Sequence, residues 1–534
     1  MVQCDSGKFG VNFGRNKCDF MDKKEQFRAL IEQGYTCKGD SLVLGAAMYN
    51  GECLTGAHIR IPLRTMNRHG LIAGATGTGK TKTLQVISEE LSEKGIPVLL
   101  MDVKGDLSGI AMPGEEKPFI KERHQKIGLS YSPKGFPVEL LSLTGKDGVS
   151  LRATVSEFGP VLLSRILGLN DTQSSVMAVI FKYCDDNQLA LLDLKDILQV
   201  IKFITGEGKA EFEKQYGKVS AATTGTIMRK IMELEQQGAE HFFGELSFEI
   251  QDLLRRDKNG QGVISIVRLT DIQDKPKLFS TFMLSLLAEI YNTMPEKGDM
   301  EKPELVVFID EAHLIFEEAS KALLDQIETI VKLIRSKGVG IFFVTQNPMD
   351  VPNEVLAQLG LKVQHALRAF TALDRKAIKL TAENFPLSDF YKTDEVLTSL
   401  GIGEALVTAL NEKGIPTPLA VTMVRAPRSR MDILTLEEIS AINRSSELVR
   451  KYNQVIDRES AYEVLGRKME RMQEDRERKE VRESRPVRTP YGTGYPQPGR
   501  TRRPSSYQRI PPVVKVLTSA TFIRGVMGVL KKMM

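Results

Sequence analysis

The chain of 534 residues is poor in cysteine, and what it lacks narrows the field before any motif is read. Its five cysteines are Cys4, Cys18, Cys37, Cys53 and Cys184. None stands in a CxxC pair, which excludes a zinc-ribbon arrangement. Four fall within the first 53 residues, so a metal or disulfide reading stays open there beside the plainer one of reduced thiols. No apolar run approaches the roughly 20 residues that cross a bilayer. The opening segment "MVQCDSGKFGVNFGRNK" has no apolar signal-peptide core either, and the expectation is a soluble, cytoplasmic protein. Acidic residues also run out: no Asp or Glu follows Glu483, whereas Arg and Lys continue to the end. The formal charge of +5 therefore divides into a mildly acidic body and a basic tail. No internal repeat is present.

What is there is ordinary for a globular protein: 42% hydrophobic and 26% charged residues. The length predicts one large core with appendages. Residues 1–69 form an N-terminal α/β segment that mixes a helical pattern ("MDKKEQFRALIEQG") with strand-like pieces. From 70 to 430 strand and helix signals alternate, as in an α/β core, with a helical insertion at about 149–260. Residues 431–483 are charged and helix-prone. Residues 484–512, rich in Pro, Gly, Arg, Ser and Tyr, read as a disordered basic linker. In 513–534, Val516, Ala520, Ile523, Met527, Leu530 and Met534 fall on one face of an amphipathic helix.

The chemistry begins at "GLIAGATGTGKTKT". Gly74-Ala75-Thr76-Gly77-Thr78-Gly79-Lys80-Thr81 fits G-x-x-x-x-G-K-[ST], and Lys82 follows directly. An apolar strand pattern precedes it and an amphipathic helix pattern follows, a context that a chance Gly/Thr-rich surface turn lacks. Backbone N–H groups and the helix N-terminus would then bind phosphate. Lys80 would reach the β- and γ-phosphates of ATP, and the Thr81 hydroxyl would bind Mg²⁺. In "ELVVFIDEAH", Asp310 and Glu311 close a buried strand at the end where α/β sheets bind ligands. Asp310 suits the Mg²⁺ shell, and Glu311 suits the orientation and polarisation of an attacking water. Two solvated acids at a strand end would be the bland alternative, which the P-loop in the same chain disfavours.

Between these motifs "VLLMDVKGD" supplies an extra strand signal, as in the RecA-like additional-strand P-loop NTPases with a catalytic glutamate. No NKxD motif follows, which weighs against a GTPase, and no LSGGQ marks a transporter ATPase. "VGIFFVTQNP" ends on Thr345 and Gln346, where an amide can sense the γ-phosphate or simply occupy a turn before Pro348.

Together "GATGTGKT", "LLMDVKGD", "VVFIDEAHLIF", "LIRSKGVGIFFVTQNP" and "VQHALRAFTALDRKAIK" resemble the HerA-like branch of the HerA/FtsK superfamily, above all bacterial proteins with a helicase HerA-like C-terminal domain. The resemblance runs from about residue 40 to 430. It implies a RecA-like core, Mg·ATP hydrolysis and hexameric rings that pump double-stranded DNA. It carries the Walker A roles to Lys80 and Thr81, the Walker B roles to Asp310 and Glu311, and the sensor role to Gln346. It also implies an arginine donated by a neighbouring subunit, for which Arg335, just before the sensor strand, and Arg368, ending the next strand, are candidates. Each has a plain alternative, a solvated helix-end cation for Arg335 and an ion pair within its own subunit for Arg368. Only about 69 residues precede the P-loop, too few to assume the complete β-barrel of HerA proper.

Two functions follow as expectations: an oligomeric DNA translocase, or a regulatory ATPase that remodels a protein partner without DNA. The arginines from Arg485 to Arg509, interleaved with Tyr491, Tyr495 and Tyr507, suit nucleic acid or a solvated tether. A membrane-anchored coupling ATPase ranks last, because such proteins usually bring transmembrane helices. The terminal helix suits an oligomer contact, a partner protein or an anionic membrane surface.

Overall fold

A computed structural model of the chain describes residues 22–270, 275–316, 321–454, 456 and 458–483. The expected basic linker and terminal amphipathic helix lie outside the described residues, as do Cys4 and Cys18. The chain divides into two compact units, residues 1–474 and 475–534. The first carries the sheet. The described residues of the second are helical, within Ala461–Glu483.

The sheet has twelve strands: β1 (Ser41–Tyr49), β2 (Glu52–Pro62), β3 (Gly70–Ala73), β4 (Val98–Asp102), β5 (Val138–Ser142), β6 (Val149–Ser150), β7 (Ile264–Arg268), β8 (Leu305–Ile309), β9 (Val339–Thr345), β10 (Leu361–His365), β11 (Glu404–Thr408) and β12 (Ala420–Val424). Their spatial order is β2-β1-β12-β11-β10-β3-β9-β8-β4-β7-β5-β6. From β10 to β6 every pairing is parallel, and from β10 to β2 every pairing is antiparallel.

The parallel strands read as continuous apolar runs because both faces are covered. Side chains alternate between two cores. Leu305, Val307 and Ile309 of β8 enter one with Leu99 and Met101, while Val306 and Phe308 enter the other with Val98 and Leu100. Each such fully buried side chain contributes about 1.5–3 kcal/mol.

The first core also contains the insertion, whose helices Asp171–Asp186, Leu194–Thr205 and Ala221–Gln236 bury Ile180, Ile197, Val200 and Ile227 beside the sheet residues. Their starts are fixed by side chains: Asn170 and Asp193 each form a capping box with the residue three positions on.

The N-terminal strands extend this same sheet. β1 and β2 are joined at Asn50-Gly51, both with positive φ (50° and 80°), the two-residue turn that an Asn-Gly pair favours. β1 then pairs with β12, so the segment before the P-loop is stitched to residues near 424.

One strand is shorter than the sequence predicts. β10 ends at His365, so Arg368 lies three residues beyond it, not at its end. Leu367 N–H turns away to donate to Leu397 O at 2.9 Å.

Candidate functional site: a phosphate loop facing two carboxylates

The loop after β3 is held by hydrogen bonds to its neighbours. Gly74 N–H donates to Thr345 O at 3.3 Å and Ala75 N–H to Ala366 O at 2.9 Å, tying it to the ends of both flanking strands. On the far side Gly403 N–H donates to Thr78 O at 2.9 Å. Glycine is required here. Gly74 has φ 150°, and a Cβ on it would lie 2.5 Å from His365 Cβ. Gly79, at φ 116°, lets the helix Lys80–Glu93 begin directly under the turn.

That helix has no side-chain cap, in contrast to the boxed helices of the insertion. Its first N–H groups and its positive dipole end therefore face the loop, as phosphate binding demands. Lys80 is buried and folds back on the loop, with Nζ donating to Gly74 O at 2.6 Å and Ala75 O at 3.3 Å. Burial pushes its pKa below the usual lysine value, against the pull of Glu311. Lys82 behaves differently: its Nζ donates to Met431 O at 2.7 Å. Beneath the loop, His365 links Thr83 Oγ1 at 2.8 Å to Glu404 O at 2.9 Å, with Nε2 and Nδ1 respectively.

β8 delivers Asp310 and Glu311, each only 4% exposed. Glu311 adopts φ 47°, unusual for a residue with a side chain. Asp310 Oδ1 accepts Glu311 N–H at 2.9 Å. Burial, then the charge of Glu311, pushes the Asp310 pKa up to about 7. The Glu311 carboxylate pairs with the Lys104 ammonium and lies 3.3 Å from His313 Nδ1.

β9 runs between β3 and β8 and brings Gln346 to the same edge; Thr76 Oγ1 lies 3.5 Å from Gln346 Oε1. The turn after it is fixed by Asp350, whose Oδ2 accepts from Thr345 Oγ1 at 2.6 Å and Asn347 N–H at 3.1 Å.

The sequence-predicted P-loop, Asp310, Glu311 and Gln346 thus meet at the carboxyl ends of three adjacent parallel strands. The two arginines do not join them in one place. Arg335 precedes β9 at the opposite end of that strand, 3.9 Å from Asp299 and part exposed. Arg368 is exposed and donates to Thr398 O at 3.1 Å.

The donor set suits magnesium. Thr81 and Asp310 offer hard oxygen ligands in small number, which leaves room for phosphate and water oxygens. Asp106 adds a buried Oδ1 without a hydrogen-bond partner, and it contributes electrostatically to Asp310. When bound, the ion, held by Thr81 and Asp310, would neutralise phosphate charge.

Sequence reasoning missed the turn after β4. Asp102 is buried and accepts from Gly105 N–H at 2.7 Å, Asp106 N–H at 3.2 Å and Leu107 N–H at 3.1 Å. Burial nonetheless pushes its pKa up to about 6. The turn so shaped presents Lys104 and Asp106 to β8, and "DVKGD" was the available signal.

Residues 49–530 match the family described as helicase HerA-like C-terminal. The chain belongs to this family. It is a P-loop ATPase, and the resemblance read from its motifs holds. The DNA double-strand break repair helicase HerA of Sulfolobus acidocaldarius is 21% identical over 387 residues, 72% of this chain and 70% of that protein. The protein of the same name from Sulfurisphaera tokodaii is 25% identical over 364 residues, covering 65% of this chain and 64% of its own length. Among solved structures, the bacterial conjugative coupling protein TrwBdeltaN70 in its unbound monoclinic form aligns with a TM-score of 0.51. The alignment covers 76% of this HerA-like chain and 95% of that one at 14% identity, a likeness of fold. Among the described residues no helix is long and apolar enough to cross a membrane.

Proposed function

We propose that this HerA-like ATPase hydrolyses ATP with Mg²⁺ at the loop facing Asp310 and Glu311, and that it works as a homo-oligomer, a hexamer, moving along duplex DNA. The observation that carries the chemical part is the meeting of Lys80, Gln346 and Glu311 at the ends of β3, β9 and β8. In this reading Gly74 to Lys82 cradle the phosphates, and Lys80 reaches the terminal ones. Thr81 and Asp310 hold the ion. Glu311 takes the proton of the attacking water, and Gln346 orients that water or senses the γ-phosphate.

An arginine from a neighbouring subunit completes the site. Arg335, at the end of β9 remote from its own subunit's loop and loosely paired, and Arg368, exposed and bonded to Thr398 O, are the two candidates. The translocase reading draws support from the curated relatives, which are named as DNA repair helicases. ATP hydrolysis measured with and without duplex DNA at low salt tests it. Strong stimulation by DNA is expected. A rate unmoved by DNA would sink the translocase and leave the remodelling of a protein partner, which the acidic body favours.

A further inference from the structure

The Lys104–Glu311 pair is not accounted for by phosphate binding. β4 lies next to β8, with Met101 opposite Ile309, so the residues just beyond these strands come together. Asp102 grips three backbone N–H groups of the turn, and Gly105 adopts φ 79°. This fixes the backbone that carries Lys104. The side chain is 45% exposed, while the carboxylate it meets is 5% exposed. Asp310 and Asp106 add further negative charge around the ammonium.

A carboxylate takes a proton through an oxygen lone pair. An ammonium in contact with that oxygen occupies the lone pair that the attacking water would use. The lysine stem is flexible and half in solvent, so a stronger anion can draw it off at little desolvation cost. Lys80 already fills the phosphate-facing position in the loop, so the second lysine is not needed there. Resting on the reading of Glu311 as the base, we propose that Lys104 is a positioning residue that brakes hydrolysis. It holds the Glu311 carboxylate in an ion pair, away from the attacking water, until that pair opens.

The test is steady-state ATP hydrolysis by the full chain alone, with kcat and KM resolved. The variants are Lys104→Met, Lys104→Gln and Lys104→Arg, each with Glu311 intact and with Glu311→Gln. Lys104→Met and Lys104→Gln are expected to raise kcat several-fold without raising KM. Lys104→Arg, which can re-form the pair, is expected to return kcat toward the starting value. No Lys104 variant should accelerate the Glu311→Gln protein. A fall in kcat or a rise in KM in both neutral variants overturns the brake and makes Lys104 a phosphate ligand. Acceleration that survives Glu311→Gln overturns it too, because the effect then bypasses the carboxylate. Full hydrolysis by Glu311→Gln alone marks a different failure, that of Glu311 as the base.

Discussion

Arg425 Nη1 lies 2.8 Å from Glu90 Oε1, and the two side chains are only 10% and 13% exposed. This mostly buried pair opens a strap, residues 425–431, laid along the helix that starts at Lys80. Glu89 accepts from Arg428 N–H at 2.9 Å and Ser429 N–H at 3.0 Å. Gln85 Nε2 donates to Ser429 Oγ at 2.7 Å. The strap follows β12, so the helix whose N-terminus faces phosphate is backed by the far end of the core.

Arg428 Nη2 also lies 3.8 Å from Glu90 Oε1, so removing Arg425 leaves the mostly buried Glu90 charge only partly compensated. Arg425→Ala is expected to cost roughly 3 kcal/mol of stability. Replacing both Arg425 and Glu90 by leucine should recover much of that loss. Urea unfolding of the two proteins checks it. A single variant as stable as the parent would show the pair to be well solvated.

Binding and hydrolysis should separate at the site. Glu311→Gln is expected to keep nucleotide affinity while hydrolysis falls by roughly 10²–10⁴. Lys80→Ala should lose both, since it removes the charge that faces the terminal phosphates. Titration with a fluorescent ATP analogue beside phosphate-release kinetics distinguishes the two. Equal loss of binding in both variants would contradict the assigned roles.

Acid should weaken the fold through buried imidazoles. His69 accepts Ile341 N–H on Nδ1 at 3.0 Å, and burial lowers its pKa to about 4. His365 is likewise lowered to about 4 by burial. An unfolded histidine titrates near 6.5, so between about 6.5 and 4 the unfolded chain binds protons that these folded residues refuse. Their contribution is full above pH 6.5 and is lost as pH falls toward 4. Thermal midpoints across that range should drop for the parent and drop less for His69→Asn, whose Oδ1 can accept the same N–H. An identical pH profile in both would remove His69 from the account.

A trans arginine has a complementation signature. Arg335→Ala is expected to lower kcat by about 10³ with ATP binding intact, as for other arginine fingers. Mixing it with inactive Lys80→Ala should restore some hydrolysis, because a hybrid pair joins an intact loop to an intact arginine. Mixtures as inactive as their parts would exclude Arg335 from the neighbour's site, and the same experiment with Arg368→Ala would then decide its rival.

The phosphate loop, the acidic strand end and Gln346 were legible because each is a local pattern: an apolar strand, then a short run of defined chemistry. Their convergence rests on β9 lying between β3 and β8, an order that spacing alone does not dictate. Lys104 was illegible for a related reason, since its partner Glu311 is 207 positions away and meets it only through the β4–β8 ladder. The strap bridges a longer separation, 335 positions from Glu90 to Arg425. The overlong reading of β10 has a local cause: Ala366 and Leu367 are buried and apolar, like strand residues, but they pack while their backbone leaves the ladder. Asn50-Gly51 was a readable hairpin signal. The pairing of that hairpin with β12 was not.

One strand carries more than its share of these relationships. β9 has seven residues, all buried, and spans about 23 Å. Gln346 leaves one end and Arg335 approaches the other. In a ring where Arg335 touches the next subunit's phosphate, β9 becomes a push-rod. A shift imposed by the neighbour's nucleotide would pass through the short turn Arg335–Lys337 and along β9 to the local γ-phosphate.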